Sequence, residues 1–385
     1  MCLDKGFLFT PKMPQESQVR MFPHSEVKVR LLRLYLERYL NVLTQSGWFN
    51  KVYVYDLFCG EGYYEDGGKG SPIAILETIG DIHKKSLQTR GKTGHFDCQF
   101  NDLDASKVTR LEWSVNDKKL FTKEMGDISF TKDDYAVVLP KVISKVDSLR
   151  KEKAFVFIDP YGYKDISIKH ICSLLRNGNT EVLLFLPTQF MFRFEQNGTP
   201  ESLNKFINEL VPIDKWPKSE TGIDFIDTLL DAFRNKVGPD RFVDSFIITR
   251  DKNQFFCLFF FTSHIYGFDR MLDAKWEIDA EEGRGWQYEE ENLFSNQKKT
   301  ANTVKFEKAL KQYLKGTFRT NGDVYEFTIK NYHLTSHTND ILMKAQKDGV
   351  LEVLTLDNKQ HRNGSFGINY REYRDSPGRL KMKIK

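Results

Sequence analysis

The sequence predicts an α/β fold in which a mostly parallel sheet is flanked by helices and followed by a small basic domain. Three observations lead there. Four short apolar runs, Val52–Leu57, Phe96–Asn101, Ala154–Asp159 and Glu181–Leu186, have the length and side chains of buried strands. Helical periodicities alternate with them at Ser71–Ile79, Ala105–Trp113, Val137–Val146 and Ile168–Leu175, the pattern of right-handed βαβ crossovers. The first run breaks into Gly60-Glu61-Gly62, which places bare backbone at a strand end, where a ligand can approach.

The elements follow in order. Residues 1–50 form an N-terminal helical segment: Val27, Leu31, Leu32, Leu34, Tyr35, Leu36, Tyr39, Leu40 and Leu43 recur at helical spacing after Ser25, which is the expected N-cap. The sheet domain spans 51–288. Within it, the mixed helix and loop of 187–240 reads as an insertion over the carboxyl edge of the sheet. Two β-rich runs, Phe242–Thr249 and Gln254–Thr262, separated by 250–253, read as a closing antiparallel hairpin. Residues 279–285 and 289–300 read as a linker. The last domain, 298–385, holds helices at Val304–Leu314, Asp323–Lys330 and Thr335–Lys347, then strands at Val350–Leu356 and Phe366–Tyr373 around a turn-rich 357–365. Three helices and a hairpin suggest a winged helix-turn-helix. Ser336, His337, Asn339, Asp340 and Lys344 would face a groove, with Lys359, His361 and Arg362 on the wing. A protein-docking winged helix has the same pattern.

At 385 residues and 40% hydrophobic content the chain can bury a large core. It contains no run of 18 apolar residues, and Met1-Cys2-Leu3-Asp4-Lys5-Gly6 lacks a signal-peptide layout, so a cytoplasmic protein without a membrane span is expected. Cys2, Cys59, Cys98, Cys172 and Cys257 are scattered without a CxxC pair, which argues against a metal site and against a disulfide framework. Charge is divided unevenly. Residues 298–385 carry 18 Lys and Arg against 9 Asp and Glu, a net of +9 in a chain whose total is +4, leaving −5 on residues 1–297. Such a basic end suits a polyanion such as DNA or RNA, and equally a solvated surface.

The chemistry concentrates at strand ends. In Asp56-Leu57-Phe58-Cys59-Gly60-Glu61-Gly62 the continuation Tyr63-Tyr64-Glu65-Asp66 is too long and acidic for a pyrophosphate loop. Asp56, Phe58, Gly60 and Gly62 instead suit a cationic nucleoside, S-adenosylmethionine, with its ammonium and sulfonium; a structural glycine bend is the alternative. Asp102, at the end of the second strand, is the candidate for the ribose hydroxyls, with Asp104 as a substitute, or both as helix caps. Asp127, in Gly126-Asp127-Ile128 where the third strand should end, is assigned to the adenine amino group or to a turn cap. Phe155-Val156-Phe157-Ile158 delivers Asp159, Pro160, Tyr161 and Tyr163 to the sheet edge. A carboxylate and the Pro160 carbonyl can accept from an exocyclic amine while Tyr161 or Tyr163 faces a base. Asp-Pro-Tyr-Gly is also an acceptable turn.

Together these segments resemble the three-Cys-motif partner protein family of bacteria. The match rests on His24-Ser25-Glu26-Val27-Lys28, Tyr55 through Tyr63, Asp66-Gly67-Gly68 with Gly70-Ser71-Pro72, Ile158 through Tyr163, Leu258 through His264, and Gly267, Met271 and Trp276, over roughly residues 20–280. The resemblance implies a Rossmann-like class I methyltransferase fold, S-adenosylmethionine binding, and a partner with a three-cysteine motif that looks like a radical-type iron–sulfur enzyme. Tyr161 and Gly162 depart from the Asp-Pro-Pro-Tyr of base-amino methyltransferases, so the acceptor base is left unassigned. The expected function is methyl transfer to nucleic acid. A catalytically silent nucleic-acid-binding subunit and a small-molecule methyltransferase are the alternatives.

Overall fold

Alternation of side chains along the strands sets the architecture, because it buries both faces of one sheet. The computed structural model describes residues 20–46, 51–251, 254–288 and 299–385. Strands β1 (Lys51–Asp56), β2 (His95–Asn101), β3 (Gly126–Thr131), β4 (Lys153–Ile158), β5 (Thr180–Leu186), β6 (Phe242–Asp251), β7 (Gln254–Thr262) and β8 (Gly285–Gln287) form a sheet of order β3-β2-β1-β4-β5-β7-β6-β8. The first five are mutually parallel, and β7 runs antiparallel to both β5 and β6. This is a Rossmann-like sheet, with the reversed strand that the hairpin reading anticipates. Strand β8, parallel to β6, starts at Gly285, the last residue of the first expected linker stretch; three residues are too few to carry a periodicity.

Helices α1 (Pro23–Ser46), α2 (Ser71–Arg90), α3 (Ala105–Asp117), α4 (Tyr135–Asp147) and α5 (Ile168–Leu174) come first along the chain. They are followed by α6 (Thr188–Asn197), α7 (Glu201–Leu210), α8 (Gly222–Val237) and α9 (Ile265–Ile278). Phe155 and Phe157 of β4, with Leu258 and Phe260 of β7, face α1, α2, α3 and α9. Val156, Ile158, Phe259 and Phe261 point the other way, to α4, α5, α7 and α8. Helix α1 opens on Pro23, whose fixed φ suits a first helical position. Ser25 therefore lies inside the first turn, its amide donating to the Phe22 carbonyl at 2.9 Å, and is not the cap expected of it. Residues 187–240 are likewise not an insertion over the carboxyl edge. Phe206, Phe225, Leu229 and Phe233 bury them under the sheet, and only the start of α6 reaches that edge.

The C-terminal part contains α10 (Val304–Leu314), α11 (Asn321–Lys330), α12 (Thr335–Lys347) and α13 (Tyr370–Asp375). It adds an antiparallel sheet of order β10-β11-β9, from β9 (Arg319–Thr320), β10 (Leu351–Thr355) and β11 (Leu380–Ile384). The second strand expected at Phe366–Tyr373 is thus wrong: the partner of β10 is β11. Asn369 accepts from the Glu372 amide and starts α13 instead.

This part does not stand apart. Phe306, Leu310, Tyr325, Ile341 and Met382 belong to the same apolar cluster as the α1 face of the sheet. The Tyr325 hydroxyl donates to buried Asp269 Oδ2 at 2.8 Å, Trp276 Nε1 donates to the Tyr332 carbonyl at 3.0 Å, and Tyr266 stacks on Tyr370 at 3.9 Å. Among the described residues no helix is long and apolar enough to cross a membrane. A shared core predicts one cooperative unfolding transition for the whole chain. Tyr325→Phe strands Asp269 Oδ2 and should lower stability by about 1–3 kcal/mol in urea titrations, without splitting that transition in two.

Candidate active site

Strand order reverses between β1 and β4, and the crossovers on either side leave in opposite directions, so a crevice opens beyond their carboxyl ends. The loop after β1 is fastened on both sides of it. Leu57 N–H donates to the Phe157 carbonyl at 3.1 Å and Cys59 N–H to the Asn101 carbonyl at 2.8 Å. Gly60 follows with φ +62°, and a Cβ there would meet nothing within 4 Å. Gly62, at φ +87°, differs: its Cβ would lie 2.7 Å from Leu111 Cδ1. Gly60 thus leaves room facing the crevice, whereas Gly62 lets the loop pack on α3. The loop from Tyr63 to Gly70 folds back on itself, and Asp66 accepts from the Gly68 and Met21 amides at 3.0 Å.

The crevice holds about 540 Å³ and is walled by α1, the glycine loop, the end of β4 and the start of α6. Asp56 lies one layer behind, fully buried beneath Cys59 and Ser71. Burial pushes its carboxyl up to about 7, with Asp159 and Asp102 adding to the rise and Ser71 and the Phe58 amide opposing it. Its Oδ1 accepts from Phe58 N–H at 3.3 Å, while Oδ2 is buried without a hydrogen-bond partner of normal geometry. A buried acceptor without a donor is costly, and a cationic ligand group is one way to satisfy it. Phe58 completes this wall, stacked on Tyr135 at 5.0 Å.

Across the crevice, Asp159 Oδ2 takes an ion pair of 2.5 Å from Lys28 of α1, whose ammonium also lies 4.5 Å from the Phe185 ring centroid. Burial works against the lysine's charge, but Asp159, Tyr64 and Asp56 together hold its pKa above the ordinary value. Lys28 was not assigned a role from the sequence. The signal was present, since it lies in helical register with Leu31, Leu32 and Tyr35 on the buried stripe, where a charge needs a partner. His24 stands beside it, its imidazole pushed down to about 4 by burial and by the neighbouring Lys28 and Arg250.

Of the residues assigned from sequence, Phe58, Gly60, Gly62, Asp159, Pro160 and Tyr161 line the crevice together. Tyr161 is 68% exposed and its hydroxyl accepts from Lys107 Nζ at 2.6 Å. Three assignments need correction. Tyr163 is a core residue under α5, buried with Ile166 and Ile168, and presents no face to the crevice. Asp102 is 2% exposed and its oxygens accept from the Gly60 and Asp104 amides at 3.0 and 2.9 Å, so it pins the glycine loop; Asp104 caps α3. Asp127 begins β3 and does not end it, which puts it at the amino edge beside His95 and Asp97, the far side of the sheet from Gly60.

On the C-terminal part, His337 is also displaced from its expected role. Its ring packs at 4.5 Å against Trp276 of α9, so the start of α12 faces the sheet domain. Asn339 is half-buried, while Lys344, Lys359 and Arg362 are exposed, Lys359 in an ion pair of 2.7 Å with Asp357.

No family model matches the chain, and no curated protein matches it. Solved structures align with the chain at low identity and with TM-scores below 0.4. A protein from Legionella pneumophila str. Philadelphia 1 aligns at 11% identity over 67% of this chain and 92% of its own, TM-score 0.39. The methyltransferase domain of bacterial CtHen1-C aligns at 15% identity over 60% and 98%, TM-score 0.31. An O-methyltransferase from Bacillus cereus, solved with SAH, aligns at 10% identity over 65% and 93%, TM-score 0.31.

Two outcomes follow from the geometry. Gly60→Ala should cost only the left-handed backbone penalty, about 1–2 kcal/mol, and Gly62→Ala a further ~1–3 kcal/mol for crowding Leu111, read as denaturant midpoints. Asp56 is protonated in the folded chain up to about pH 7 but ionises near 3.8 when unfolded. Its contribution is complete below about pH 4 and is lost as pH rises towards 7, so Asp56→Asn should gain stability relative to wild type across that window in urea titrations at stepped pH.

Proposed function

We propose that the chain is an S-adenosylmethionine-dependent methyltransferase, with the cofactor on the Gly60–Gly62 turn and the acceptor beside Asp159. The observation that carries this reading is a switch-point crevice with open space over Gly60 and, one layer behind it beside Ser71, the buried carboxyl of Asp56, whose Oδ2 has no hydrogen bond of normal geometry. When bound, the cofactor supplies a methyl group on a sulfonium. Asp56 answers the positive charge of the ligand, and its carboxyl ionises as that charge approaches. Phe58 gives an apolar wall. Asp159 is oriented by Lys28 through Oδ2, which leaves Oδ1 to accept a hydrogen bond from the acceptor group and hold it in line.

Nucleic acid is the acceptor class that the charge supports: the final 88 residues carry a net +9. The order of helices α10 to α12 and of strands β9 to β11 is compatible with a winged helix-turn-helix, and Lys344, Lys359 and Arg362 are exposed there. Association with a three-Cys-motif iron–sulfur protein is proposed from the family resemblance and is checked by co-purification.

One observation favours a second reading. The Lys28–Asp159 ion pair already occupies one oxygen of the carboxylate needed for the acceptor, as it would in a silent nucleic-acid-binding subunit that keeps the fold. Calorimetry and a labelled-methyl assay separate the two. S-adenosylmethionine should bind, releasing close to one proton per site at pH 6 from the wild type and none from Asp56→Asn, measured in buffers of different ionisation enthalpy. Label should pass to DNA or RNA and fall at least about 100-fold in Asp159→Asn. Binding without any methylated product supports the silent subunit; no binding removes the methyltransferase reading.

A further inference from the structure

The mouth of the crevice has a composition that cofactor binding does not require. Four rings stack in series there: Phe22 on His24 at 5.6 Å, His24 on Phe256 at 5.1 Å, and Phe256 on Phe185 at 5.4 Å, all within 22° of parallel. A cation closes each end, Arg250 over Phe22 at 4.6 Å and Lys28 over Phe185 at 4.5 Å. Burial, with both cations adding to it, depresses the His24 pKa, so the imidazole stays neutral and serves as a flat ring between them. On the opposite lip, Lys107 bonds the neutral hydroxyl of exposed Tyr161, and Phe190 of α6 is 49% exposed.

The acidic lining does not cancel this charge. Glu61 is paired with Arg110 at 2.5 Å and Asp159 with Lys28, while Arg250 meets an uncharged ring and Lys107 donates to an uncharged hydroxyl, with Asp102 and Asp104 near it but in no ion pair with it. These cations arrive from α1, α3 and β6, distant in sequence, and converge on one concave surface. Exposed aromatic faces beside cations that form no ion pair among the described residues are what a single strand needs: bases stack on any π-face, and phosphates follow the cations.

We propose that this mouth is a single-stranded nucleic-acid groove, in which Phe190 and Tyr161 stack bases and Arg250 and Lys107 hold phosphates. Recognition of the single strand then belongs to the sheet domain itself, and the basic C-terminal part adds only a general attraction for phosphate. The inference rests on the methyltransferase reading of the same crevice and names its substrate as a phosphodiester strand presented without a complementary partner.

The test is fluorescence anisotropy of the full-length protein with fluorescein-labelled 12-nucleotide single-stranded DNA and RNA, the same sequences as duplexes, and AMP as competitor. Phe190→Ala and Arg250→Glu should each weaken single-strand binding about tenfold or more, and Lys107→Ala should flatten the logarithmic salt dependence by about 0.7. Lys359→Glu combined with Arg362→Glu should change it less than about twofold. The proposal is overturned if Phe190→Ala and Arg250→Glu, shown folded by circular dichroism, bind like wild type. It is equally overturned if the wing variant alone removes binding, if duplex binds as tightly as single strand, or if AMP displaces the strand at comparable concentration. S-adenosylmethionine affinity, measured separately, reports on the methyltransferase reading whichever way the strand result falls.

Discussion

The structure turns on the position of β1, which has a parallel neighbour on each side while the chain leaves its two flanks in opposite directions. Two parallel strands with diverging connections cannot close the space beyond their carboxyl ends, so a crevice there is obligatory. Everything placed around it serves that gap. The amides of Leu57 and Cys59 tie the loop to β4 and β2, Asp102 pins Gly60 from behind, and Gly62 lets the loop return against α3. The site is held by backbone hydrogen bonds, with few side chains needed to shape it.

Buried charge is the second organising feature. Asp56 and Glu181 are both pushed up to about 7 by burial, at opposite edges of the sheet. Glu181 has donors, since Tyr35 of α1 and the Thr262 hydroxyl both bond it. Asp56 has the Phe58 amide on Oδ1 and Ser71 beside it, with no hydrogen bond of normal geometry to Oδ2. That difference separates a carboxyl built into the scaffold from one left with capacity for a ligand. Helix α1 supplies Tyr35 to the first and Lys28 to the crevice, so it braces the sheet at both edges.

Much of this was legible in the sequence where the signal was local. Buried strands announce themselves as apolar runs, and the Asp56–Gly62 and Ile158–Tyr161 segments reach the crevice as their strand-end positions imply. Legibility failed where the answer depended on pairing. Asp127 was placed at the end of a strand because no residue near it marks direction; Gly126, at φ +143°, in fact opens β3 so closely on β2 that a Cβ would lie 1.9 Å from the Phe96 carbonyl oxygen. Phe366–Tyr373 has strand-like residues, yet Asn369 caps a helix and β11 takes the place beside β10. Tyr163 lies two residues beyond exposed Tyr161, but the chain turns between them and sends it into the core. His337 looked available until Trp276, some sixty residues earlier, covered it.

The common core of the sheet and the C-terminal part has a mechanical consequence. With Tyr325 bonded to Asp269 and Trp276 set against Tyr332 and His337, the two parts are joined by buried contacts that a swing of one over the other would have to break. Many enzymes of this size enclose a ligand by moving one domain over another. Among the described residues, the pieces at the crevice that can shift without breaking those contacts are the Tyr63–Gly70 loop and the side chains at its lip, so enclosure there is a local adjustment.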